Sequence, residues 1–143
     1  MLGIMMSIIA GAAMSVQGVW NTRLGEKIGV YEANAFVQGS AFILAMIVMF
    51  IFGKGDFKNI MTTDKLYWFG GVLGIIITIT VMQSIGRLSP TVAISIILIS
   101  QLLVAAVIDA FGLFGTEKAA FGLQKYIGLA TMITGVLIFK WQK

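Results

Sequence analysis

The sequence predicts an all-α, polytopic membrane protein with five transmembrane helices per chain, two chains pairing antiparallel into a ten-helix inverted-repeat bundle. Three observations carry this reading. Of 143 residues, 59% are apolar and only 11% charged, whereas a soluble domain has roughly 25% charged residues to cover its surface. The apolar residues fall into five runs, each near the ~20 residues that cross a ~30 Å hydrocarbon layer. Finally, five spans divide the lysines and arginines equally between the two faces of the bilayer.

The runs place helix 1 at residues 2–20, helix 2 at 33–53, helix 3 at 66–85, helix 4 at 90–113 and helix 5 at 124–141, within a single five-helix domain over 1–143. Helix 1 has no Lys or Arg ahead of its apolar stretch, as a signal peptide would, and reads as a retained span. Aromatic residues mark the membrane edges, because a Trp or Tyr ring prefers a boundary where one end is wet. Trp20, Tyr31, Tyr67, Trp68, Tyr126 and Trp141 all stand at expected helix ends, and they are every Trp and Tyr in the chain. Gly53-Lys54-Gly55-Asp56 and Thr62-Thr63-Asp64-Lys65 flank the second connection. Gly86-Arg87-Leu88-Ser89-Pro90 is a tight turn with Pro in the first turn of helix 4. The segment from Gly112 to Gly122, with Phe111, Phe114 and Phe121, is apolar enough to lie along the interface.

An odd number of spans puts the termini on opposite faces. The N-terminal face then carries Lys54, Lys58, Lys65, Lys118 and Lys125, and the other face carries Arg23, Lys27, Arg87, Lys140 and Lys143. An excess of Lys and Arg in cytoplasmic loops normally fixes insertion, so an equal division favours neither orientation. The expectation is dual topology, in which one chain inserts both ways and pairs with its inverted copy, the plan of many secondary transporters.

Polar side chains within apolar helices are costly unless they face the bundle, water or one another. Gln17 and Asn21 lie four apart on one face of helix 1, and Asn34 and Gln38 repeat the spacing on helix 2. Helix 3 offers Thr80 and Gln83, and helix 4 places Gln101 near mid-membrane with Asp109 two turns later. Gln17, Asn21, Gln38, Gln83 and Gln101 are the candidate substrate-binding groups, and Asp109 is the candidate coupling or gating acid. Each has a plainer alternative. Amides stitch helices together, hydroxyls such as those of Thr78, Thr80, Ser95 and Ser100 bond their own backbone, and Asp109 can reach the interface. Small residues at Gly3, Ser7, Gly11 and Ser15, at Gly70 and Gly74, and at Gly128, Thr131 and Gly135 mark close-packing faces within or between protomers.

Several functions are excluded or disfavoured. Without His or Cys, the chain lacks the commonest metal ligands, proton shuttle and thiol nucleophile, so no metal or cofactor is expected. The net charge of +4 comes from basic residues scattered singly, which argues against nucleic-acid binding. No nucleophile, base and orienting group assemble within the spans, so an enzyme is not expected.

Gly11 to Gln17 followed by Asn21-Thr22-Arg23-Leu24, Gly70-Gly71-Val72-Leu73-Gly74, Ser100-Gln101-Leu102-Leu103 and Ile108-Asp109-Ala110-Phe111-Gly112-Leu113-Phe114-Gly115 together resemble the half-size YdcZ-like family of the drug/metabolite transporter superfamily. The resemblance spans essentially the whole chain. It implies a bacterial inner-membrane protein equivalent to half of a ten-helix transporter, with Gln17, Asn21, Gln101 and Asp109 at characteristic family positions. Asp109-Ala110 stands where the family pattern has an acid followed by His, and helix 1 carries no acid at all, unlike the related small multidrug-resistance proteins. Both departures argue against simple proton/drug antiport. The expected function is secondary transport of a small metabolite or drug-like molecule, with a second copy or a paralogous half as partner and the bilayer as solvent. A small dual-topology ion channel and a structural or regulatory membrane subunit are the alternatives.

Overall fold

The computed structural model describes residues 1–119 and 122–141. Among them are five α-helices: α1 (Leu2–Ile28), α2 (Val30–Phe52), α3 (Gly70–Arg87), α4 (Pro90–Phe111) and α5 (Leu123–Trp141). Short 3-10 turns occupy Phe57–Thr62, Lys65–Phe69 and Leu113–Gly115, and no strand occurs among the described residues. The all-α class is as expected. The chain divides into two compact units, Met1–Arg87 and Leu88–Lys143. Phe121 and Lys143, which entered the readings of the interfacial segment and the charge division, lie outside the described residues.

Four segments are long and apolar enough to cross a membrane: Leu2–Ile28, Val30–Phe52, Lys65–Arg87 and Pro90–Phe111. Their large apolar side chains are exposed, among them Ile8, Phe42, Ile51, Leu73 and Val104, while among the described residues the buried apolar ones are Ala33, Met82, Ile85 and Ala93. Surfaces of this kind are stable in hydrocarbon and not in water, so the chain is an integral membrane protein. The remaining helix, α5, carries Lys125 and Lys140 near its ends and has no continuous stretch as apolar as those in the other four.

The helix limits differ from the expected ones where hydropathy and helix formation part company. At 27 residues, α1 runs eight residues past Trp20, because Arg23, Leu24, Glu26 and Lys27 are good helix formers although they are not all apolar. Only Gly29 interrupts it, at φ 100°, and its N–H still bonds to the Gly25 carbonyl at 2.9 Å before α2 begins at Val30. The expected start of helix 3 is a 3-10 turn in which the Asp64 carboxylate accepts the Leu66 N–H at 3.0 Å. Pro90 opens α4 as expected, and the Ser89 hydroxyl caps it by accepting the Val92 N–H at 3.4 Å. Gly112 closes α4 in the left-handed conformation, φ 63°, two residues earlier than the apolar run suggested. The segment after it turns back, with the Ala119 N–H donating to the Asp109 carbonyl at 3.0 Å, and keeps Phe111 and Phe114 exposed.

In the first unit α1, α2 and α3 are all in contact with one another. The tight packing is at one end. Gly18, Asn21, Thr22 and Gly25 of α1, Ala33 and Asn34 of α2, and Met82 and Ile85 of α3 are buried, whereas residues 2–14 of α1 are exposed throughout. Close approach depends on Gly18, where an added Cβ would come 2.9 Å from Ile85 Cδ1 and 3.2 Å from Val81 Cγ1. Gly25 lies against Met82 Sδ and Gly86 against Thr22 Cγ2. The expected stripe of Gly3, Ser7, Gly11 and Ser15 takes no part in this contact: among the described residues nothing lies within 4 Å of a Cβ built at Gly3 or Gly11. In the second unit Gly128 and Gly135 are equally open.

Candidate functional site

Most hydroxyl groups within the helices are satisfied locally, although that of Ser100, expected to be, makes no such bond among the described residues. Thr78 donates to the Gly74 carbonyl at 2.9 Å, Thr80 to that of Ile76 at 2.8 Å and Ser95 to that of Thr91 at 2.7 Å. Ser7, Ser15, Thr131 and Thr134 do the same one turn back. A hydroxyl so bonded is cheap to hold in hydrocarbon and offers no proton to a ligand. The amides are different, because each also carries an acceptor oxygen and the interior of a helix has no free N–H to satisfy it.

On α1, Gln17 and Asn21 share a face as the four-residue spacing requires, and both lie on an open surface of that helix together with Ala13, Met14 and Trp20. Gln17 is exposed there, while Asn21, one turn on, is 8% exposed. The polar face therefore runs from the open part of α1 into the packed end of the unit. On α2, Asn34 is buried and Gln38 half-buried; the Gln38 Nε2 group donates to Thr78 Oγ1 of α3 at 3.5 Å and lies above Gly74, whose missing side chain leaves it room. Gln38 thus does what a helix-joining amide does, through one long hydrogen bond that a competing ligand could displace. Gln83 is exposed on α3 and stands apart from the buried polar set.

Gln101 and Asp109 belong to the second unit. Gln101 is exposed on α4, in the middle of the helix, and Asp109 is half-buried three residues before Gly112. The Asp109 backbone carbonyl is held by Ala119, and among the described residues its carboxylate has no ion pair. Arg87 closes α3 at the end of the first unit, exposed. No cluster of three metal-ligating residues occurs among the described residues.

The profile of one protein family, described as "Putative inner membrane exporter, YdcZ", matches residues 2–138. The chain belongs to the YdcZ family of drug/metabolite transporters. No curated protein and no solved structure matches it. The YdcZ match runs through both units, so Gln17, Asn21, Gln38 and Gln83 of the first and Gln101 and Asp109 of the second are all parts of one family domain. Two polar residues of this YdcZ chain have more weight in the structure than their spacing suggested. Thr22 is buried, with its hydroxyl bonded to the Gly18 carbonyl at 2.7 Å and close to that of Met82 at 3.5 Å. Asn34 is buried with a carboxamide oxygen that has no partner among the described residues. For Thr22 the signal was available: Gly18, Thr22 and Gly25 follow the spacing of one helix face, which identifies the side of α1 that packs.

Proposed function

We propose that the chain is one half of a secondary transporter that exports a small metabolite or drug-like molecule, with a second copy inserted upside down supplying the other half. The observation that carries this reading is the match of an inner-membrane exporter family across residues 2–138, in a chain whose apolar runs carry amides and the single acid Asp109 but no buried charged group among the described residues. In this reading α5 is the fifth span. Its 19 residues make about 28 Å of helix at 1.5 Å per residue, close to the ~30 Å hydrocarbon layer, and Lys125 and Lys140 reach the headgroups on either side.

Five spans make the charge division equal and the inverted pair possible. Substrate binds between the two-fold-related halves, with Gln17 and Gln101 as hydrogen-bonding groups, Asn21, Gln38 and Gln83 flanking them, and Asp109 as the coupling or gating acid. The two halves exchange inward- and outward-open forms of equal energy, because identical protomers trade roles, and a gradient sets direction. The test is flux into proteoliposomes of purified protein across a panel of neutral and charged metabolites. Gln101→Ala is expected to reduce transport at least about tenfold for any substrate found, the size of one lost hydrogen bond to a desolvated group. Unchanged flux would remove Gln101 from the site.

A further inference from the structure

The buried polar side chains of the first unit are Asn21, Thr22 and Asn34, and no acid or base is among them. The protons nearby are largely committed. Thr22 gives its proton to the Gly18 carbonyl at 2.7 Å, Thr78 gives its own to Gly74 at 2.9 Å, and the Gln38 amide is engaged with Thr78. One acceptor is left over: Asn34 Oδ1 is fully enclosed, and no donor of the protein among the described residues reaches it. The residue is only 8% exposed, one turn from Gln38 on the same face of α2. A buried carboxamide oxygen without a donor costs enough that folded proteins nearly always supply one, and hydrocarbon offers no bulk water to do so.

Resting on the transporter reading, in which the exchange of inward- and outward-open forms parts the packed end of this unit, we propose that Asn34 is a recognition group for the transported molecule, and that this molecule is neutral and presents a hydroxyl or amide N–H. The enclosed oxygen selects a donor. The absence of a buried acid disfavours an ammonium, because an uncompensated charge costs far more to bring into this environment than a neutral donor does. A hydroxyl or N–H satisfies Oδ1 without leaving a charge unpaired, and a methylated analogue of the same shape leaves the oxygen orphaned.

The experiment uses the full chain in lipid nanodiscs and two probe pairs that differ only in their donors: nicotinamide with N,N-dimethylnicotinamide, and erythritol with its tetramethyl ether. Binding is read by equilibrium dialysis. At least one donor-bearing probe is expected to bind about tenfold or more tightly than its methylated partner, Asn34→Leu to abolish that preference, and Asn34→Asp, which keeps the acceptor and removes the amide donor, to preserve it. Equal binding within both pairs, no binding of any probe, or a preference that survives Asn34→Leu overturns the proposal, as does its loss in Asn34→Asp. A raised melting temperature in Asn34→Leu with the preference intact identifies a structural water only, which also overturns it. If Asn34→Leu fails to fold, the Asp variant decides alone. Asn34-dependent binding with no flux of the same probe in proteoliposomes leaves the donor site standing and counts against the transporter reading, whereas flux indifferent to methylation does the reverse.

Discussion

Gly29 is where a single side chain decides the most. Its backbone sits at φ 100°, ψ 147°, a region that L residues rarely occupy, and a Cβ there would meet the Glu32 carboxylate. It is also the sole residue between α1 and α2, so the strain cannot be relieved by a longer connection. Gly29→Ala is expected to destabilise the protein by about 1–3 kcal/mol, read as a lower melting temperature in detergent; an unchanged melting temperature would contradict this turn geometry. The polar residues were only partly legible in the sequence. Four-residue spacing placed Gln17 with Asn21 and Asn34 with Gln38 on shared faces, but periodicity says nothing about depth. Asn21 and Asn34 are buried and Gln17 is exposed for a reason that lies in their neighbours: the close approach of α1 to α3 at Gly18 and Gly25 encloses only one end of the unit.

At the scale of the helices, hydropathy found the helices but not where they end. The apolar run closes at Trp20, yet the backbone continues as helix to Ile28, and Arg23 and Glu26 pair at 3.0 Å on its exposed surface. Pro90 and Ser89, by contrast, were legible to the residue, because an N-terminal Pro after a capping Ser has a local cause. The small-residue stripes needed more than spacing. Gly3, Gly11, Gly128 and Gly135 follow the same rule as Gly18 and Gly25, but only Gly18 and Gly25 of these meet a neighbouring helix or turn within the chain. Two substitutions separate the roles. Gly18→Leu is expected to prise α1 from α3 and cost about 1–3 kcal/mol of stability. Gly11→Leu is expected to leave the melting temperature of the monomeric fraction unchanged and to weaken self-association, read by chemical cross-linking in membranes. Equal effects of the two on monomer stability would contradict the assignment of the packed and open stripes.

For the whole molecule, an apolar chain with little core of its own belongs to a family of exporters. Large apolar side chains are exposed on α1, α2, α4 and α5, and in the five-span proposal an equal division of Lys and Arg would give the membrane no reason to prefer one orientation. Two chains of opposite orientation would then bring both sets of amides, Gln17 and Asn21 from α1 and Gln101 from α4, to a shared substrate path. The charge balance is a count that holds with α5 as the fifth span, whereas four segments among the described residues are long and apolar enough to cross a membrane. The placement of the amides along the proposed path was not legible, since in that reading it depends on packing between chains.

Dual insertion is therefore the claim on which the transport mechanism stands. A C-terminal fusion carrying paired reporters, one active only in the cytoplasm and one only outside it, measures it directly. Comparable signal from both reporters is the expected result, and it should shift to one side when a single lysine is added to one face. Signal from one reporter alone in the unaltered chain would contradict the antiparallel homodimer.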